Sequence, residues 1–158
     1  MRSVVFMLAL CAPFPALALS CIAPSVERTF HEVNDAKAEY VVVHGRLTLD
    51  QSKLPSEGTT QSNPPKMTMV PATLNGTSLS ASGFHTPFDH DIMLEVACFG
   101  PWCGSIADGA DVLAFVRRDG GQYALGINPC GGHVFAPAQP AQMEQVRQCF
   151  TGGTCKKK

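Results

Sequence analysis

Apolar positions recur at two spacings along this chain. Behind Ser25, residues Val26, Phe30 and Val33 stand at i, i+4 and i+7. That spacing predicts an amphipathic helix of about three turns, with Ser25 as its N-cap and an end near Asn34-Asp35. The period then changes. Tyr40-Val41-Val42-Val43-His44 is an unbroken β-branched and aromatic run, which predicts a strand continuing to Leu49. Apolar residues on both of its faces predict a central strand, and Gly45 inside it predicts a bulge or sharp coil.

Residues 50–66 are polar and rich in Ser, Thr, Pro and Gly, and read as a long mobile loop. Beyond it, Ala72-Thr73-Leu74 and Ser78-Leu79-Ser80 flank Asn75-Gly76-Thr77, a tight hairpin signal. Asp91–Ala97 alternates, with Ile92, Leu94 and Val96 on one face. Val112–Val116 and Tyr123–Leu125 flank Asp119-Gly120-Gly121, a second hairpin. Pro140–Cys149 predicts a short helix with Pro140 near its start and Met143 and Val146 facing inward. The predicted order is one helix, about five or six mostly antiparallel strands, then a second helix. Short strands with Gly-rich turns point to a mostly β sandwich or closed barrel.

The first residues change this picture. Arg2, the apolar run Val4–Cys11 and the small residues Ala18 and Ser20 before Cys21 have the layout of a cleavable secretory signal over residues 1–20. The run falls short of the roughly 20 residues a membrane span needs. Residues 21–158 then form a single domain of 138 residues (158 − 20), exported to a periplasm or beyond. Lys and Arg number 12 against 13 Asp and Glu. Removal of Arg2 leaves 11 against 13, a net charge of −2 (11 − 13). That balance excludes nucleic acid as an expected partner, and Lys156-Lys157-Lys158 reads as a solvated end.

Of seven cysteines, Cys11 falls in the leader. The other six, Cys21, Cys98, Cys103, Cys130, Cys149 and Cys155, are an even set in an exported chain and predict three disulfides. The sequence does not choose among the 15 possible connectivities; the preferred expectation is a local Cys149–Cys155 bond, with Cys21 joined to either Cys103 or Cys130.

Few residue sets suggest chemistry. Trp102-Cys103-Gly104-Ser105 is similar to a thioredoxin motif, yet position 106 is Ile, so the resolving thiol is missing. A thiol oxidoreductase at Cys103 is therefore the lesser alternative to a structural disulfide. His85, Asp89, His90 and Asp91 could serve a metal-binding hydrolase, but a polar loop between strands explains the same residues. His31, His44 and His133 stand alone. No nucleophile elbow, zinc-protease helix or phosphate loop occurs, so no enzyme, metal or cofactor is expected.

Three stretches together resemble a known family. Cys21-Ile22-Ala23-Pro24 leads into the helix containing Phe30, Tyr40–Leu47 forms an apolar strand with an internal Gly, and Tyr123–Cys130 closes a late hairpin on a cysteine. They resemble the netrin-like domain of the tissue inhibitors of metalloproteinases. The resemblance implies a five- to six-stranded OB-type closed barrel with an N-terminal and a C-terminal helix, stapled by disulfides. It departs at Ala23, where those inhibitors carry a second cysteine, and Cys98–Gly104 has no counterpart. The expectation is a binding module of unidentified partner, or alternatively a structural envelope component. The expected contact surface is Cys21 and Ile22 with the Phe99–Gly104 turn, anchored by Phe99 and Trp102. Cys21 could also carry a lipid, but Ala18-Leu19-Ser20 is a poor lipidation box.

Overall fold

The computed structural model describes residues 19–55 and 64–155. Residues 1–18, most of the stretch read as a secretory signal, together with the middle of the polar loop and the Lys156–Lys158 tail, lie outside the described residues.

The N-terminal helix forms as its periodicity requires. Helix α1 spans Val26–Asn34, and Ser25 caps it by accepting from the Arg28 N–H. Its buried face carries Val26 and Val33. Strand β1, Glu39–Leu49, follows, then a single 3-10 turn at Gln51–Lys53. The later strands are β2, Met67–Ser80; β3, Gly83–Phe99; β4, Trp102–Cys103; β5, Ala110–Asp119; β6, Gln122–Asn128; β7, Gly131–Gly132; and β8, Val134–Phe135. Helix α2, Pro140–Phe150, ends the fold with Val146 buried.

The five long strands pair in a closed circuit, β1–β2–β3–β6–β5–β1, antiparallel everywhere except the parallel β3–β6 contact. From Ala72, opposite Leu49, the path steps to Pro71, then crosses to Met93, Ala124, Arg117 and Tyr40. It re-enters β1 nine residues before Leu49 (49 − 40), so the strands run steeply across the circuit.

Two cores explain the doubly apolar β1. Val43, Leu47, Leu74, Leu94, Val112 and Leu125 fill the inside of the circuit. On the outside of β1 and β5, Val42, Leu113 and Phe115 meet Val26 and Val33 of α1 and Val146 of α2. Phe115 is fully buried in this second layer, and truncating such a side chain costs about 3–5 kcal/mol.

Several expectations need correction. Gly45 makes no bulge, since its pairing is continuous on both sides; the glycine is needed because β2 approaches too closely for a side chain. Asn75-Gly76-Thr77 is not a hairpin turn but the middle of β2. The tight turn requires positive φ, which Gly76 lacks and Gly83 has, at 111°. The chain therefore reverses at Ala81-Ser82. The polar stretch around His85 and His90 is strand, not loop. Its polarity reflects a solvent-facing edge of β3 and a register shift that leaves His85 unpaired between Phe84 and Thr86. The bulge moves Phe84 to the outer core while Phe88 remains in the inner one.

Three disulfides form: Cys21–Cys130, Cys98–Cys103 and Cys149–Cys155. No helix among the described residues is long and apolar enough to cross a membrane.

Candidate functional site

Two surfaces stand out, and the first gathers around residues 128–131. Strand β6 ends at Asn128, whose Oδ1 accepts from the Cys130 N–H at 2.8 Å. This fixes the turn that presents Cys130 to Cys21. The N-terminal segment is thereby tied down at Cys21, and Pro24 packs over Gly131, with Cγ 3.4 Å from where a Cβ would stand. On the other flank, Gly104 lies against the same strip; a Cβ there would be 2.9 Å from the Asn128 Cα. Gly104 is held by its N–H donating to the Ala97 carbonyl at 2.9 Å.

Between Ala97 and Gly104 the chain makes a disulfide-closed hairpin. Cys98 and Cys103 are a register pair, as are Phe99 and Trp102. Gly100 turns the tip at φ 63°, a conformation open to glycine at little cost. Both cysteines are buried, whereas Phe99 is 44% exposed, Trp102 37% and Ile22 76%. The fold therefore brings the N-terminal segment, through Pro24, and Gly104, two residues past Trp102, against the two flanks of one strip. Ile22 on the first segment and Phe99 and Trp102 on the hairpin are exposed on cross-linked backbones.

The same geometry bears on the chemical alternatives. The sulfur of Cys103 is covalently joined to Cys98, five residues before it, and not to a partner three residues after it. The sulfur of Cys21 is occupied by Cys130, so it is not free to carry a lipid thioether. His85 and His90 lie five residues apart on one strand, about 16 Å by strand rise. His90 instead packs edge-on to Phe88 and beside Tyr123, each at 4.7 Å between ring centroids. No group of three or more metal-ligating His, Cys, Asp or Glu residues occurs among the described residues. The histidines read as solitary have partners. His44 Nε2 meets Asp111 at 3.1 Å, His133 Nε2 meets Glu32 at 3.4 Å, and His31 Nε2 donates to the Cys155 carbonyl at 2.9 Å.

The second surface is a groove of about 950 Å³ that the sequence did not announce. Its floor is the outer face of β2 and β3, where Met69 lies opposite Glu95, Pro71 opposite Met93, and Thr73 opposite Asp91. The β5–β6 hairpin contributes Arg117 and Asp119 from β5 and Tyr123 from β6. Arg117 Nη2 donates to Glu95 Oε1 at 2.6 Å within the wall. Outward methionines at alternate positions, Met67 and Met69, both about half exposed, were the one local signal of this face.

No family model, no curated protein and no solved structure matches this chain. Nothing in the residue arrangement or in these comparisons points to enzyme activity.

Proposed function

We propose that this chain is an exported binding module of netrin-like, OB-type architecture that engages a protein partner through the surface flanking residues 128–131. The circuit of five strands with helices against one outer side is what a small OB-type barrel would provide. Three disulfides suit an oxidising compartment, in keeping with the leader read at residues 1–20.

One observation carries the reading. Ile22, Phe99 and Trp102 remain exposed while their backbones are cross-linked by Cys21–Cys130 and Cys98–Cys103. Exposed apolar side chains gain most when buried against a partner, and Trp is the residue most often found to dominate such contacts. A cross-linked tip loses little conformational freedom on binding, which lowers the ordering penalty.

The test is site-specific photocrosslinking in the cells that export the protein. A photoreactive residue at Trp102 is expected to give one discrete protein adduct, lost when Ile22→Ser and Phe99→Ser are added. The same probe at Gln148, on an exposed turn of α2, should give none. Equal labelling from both positions would overturn the proposal.

A further inference from the structure

We infer that the groove over β2 and β3 is a second binding site, and that its ligand class is a small organic cation with an apolar body. The inference goes beyond the proposed function and uses none of its residues.

The lining has two chemical halves. Met69, Pro71 and Met93 give an apolar floor. Asp50, Asp91, Glu95 and Asp119 supply four carboxylates against two cations, Arg117 in the lining and Lys53, which pairs with Asp50 at 4.0 Å, a net charge of −2 (2 − 4). Arg117 is already committed to Glu95 at 2.6 Å. Asp91 and Asp119 therefore set the local field, on opposite sides of the β3–β6 seam. Such a field repels phosphates and carboxylates and draws in cations.

Tyr123 stiffens the wall beside this floor. Its ring is braced by Phe88 at 5.0 Å and by His90 at 4.7 Å between centroids. It is half-buried at the groove lining and packs toward the inner core. The thioether side chains of Met69 and Met93 are adaptable and accommodate apolar bodies of varied shape. The volume, about 950 Å³, lies in the range of small-molecule sites.

The chain's own residues 56–63, Ser-Glu-Gly-Thr-Thr-Gln-Ser-Asn, have the wrong chemistry for this groove. They carry one acid, no base and no large apolar side chain.

The probe is benzyltrimethylammonium, titrated into disulfide-intact, isotopically labelled protein and followed by NMR. Saturable shifts are expected at Met69, Met93, Tyr123 and Ala124. Asp91→Asn with Asp119→Asn should weaken binding about tenfold, and so should raising the salt from about 0.02 to about 0.5 M. Spermidine, a cation without an apolar body, should bind more weakly. Benzyl alcohol and benzenesulfonate should not saturate. Ile22→Ser and Trp102→Ala should leave the titration unchanged, which separates this site from the first. Absence of saturable shifts, an undiminished affinity in the double Asn variant, or preference for benzenesulfonate would each overturn the inference.

Discussion

Gly45 on β1 and Gly76 on β2 are a register pair, and neither has room for a methyl group. A Cβ on Gly45 would stand 2.9 Å from the Gly76 Cα and closer still to the Asn75 carbonyl. A Cβ on Gly76 would run into the His44 carbonyl. Neither glycine has positive φ, so the constraint is contact, not backbone conformation.

Gly45→Ala and Gly76→Ala should therefore each destabilise by about 3 kcal/mol, the upper end of the usual overpacking cost. Gly121→Ala makes a useful contrast, because nothing lies within 4 Å of its Cβ position but φ is 87°. Only the left-handed backbone penalty applies there, about 1–2 kcal/mol. Urea denaturation of the three variants checks the ranking. Equal losses would show that the β1–β2 approach is not as close as described.

Much of this fold was legible because local rules and tertiary demands agreed. Ser25 and the Val26, Phe30, Val33 spacing placed the start of α1 behind Ser25 and its end near Asn34. Asp119-Gly120-Gly121 marked a true turn because both glycines take positive φ. Asn75-Gly76 misled because the same dipeptide serves a turn or a close strand approach, and only the partner strand decides. The disulfides divided the same way. Cys149–Cys155 follows from proximity in sequence, whereas the choice of Cys130 for Cys21 depends on where β6 ends. The exposed ridge was half legible for that reason. The groove was not legible, since Leu49, Met69, Met93 and Tyr123 come from four strands joined only by sheet register.

The three disulfides should differ in worth. Cys21–Cys130 closes a separation of 109 residues, against 5 for Cys98–Cys103 and 6 for Cys149–Cys155. By loop-closure entropy the long bond contributes about 5 kcal/mol and each short one about 2 kcal/mol. Pairwise Cys→Ser variants should therefore lose thermal stability in that order in differential scanning calorimetry. A larger loss from the Cys98/Cys103 pair would mean that this hairpin supports the fold beyond its own tip.

Acid titration isolates one surface group. The carboxyl of Glu144 is lowered from 4.5 to about 2 by hydrogen bonds from Arg147 and then Gln148. A folded pKa below the unfolded one means the stabilisation is present above about 4.5 and fades as pH falls toward about 2. Glu144→Gln should flatten the stability profile across that window only. The effect should shrink in high salt, because the pair is exposed. Carboxyl NMR of Glu144 gives the midpoint directly, and a midpoint near 4.5 would remove the Arg147 contact from solution.

The last prediction concerns the activity that the family resemblance implies. A chain beginning at Cys21 should not inhibit zinc metalloproteinases tightly. In the resembled inhibitors, the amine of the first cysteine reaches the metal and a second cysteine two residues on locks the wedge. Here Cys21 is anchored to Cys130, but position 23 is Ala. Its carbonyl accepts an exposed contact from Arg28 at 3.3 Å, and Ile22 beside it is largely exposed. Fixing a backbone residue on binding costs about 1–2 kcal/mol, so ordering Ile22 and Ala23 weakens affinity by about tenfold per 1.4 kcal/mol. Pro24 offsets part of this through its fixed φ and its packing over Gly131. Assays against a panel of metalloproteinases should show no inhibition at nanomolar concentrations. Restoring the tether is not a matter of Ala23→Cys alone, since the six cysteines of the domain are already paired and the added thiol would have no partner. Nanomolar inhibition by the chain that begins at Cys21, abolished by one extra residue before it, would contradict the prediction and make the N-terminal amine the functional group.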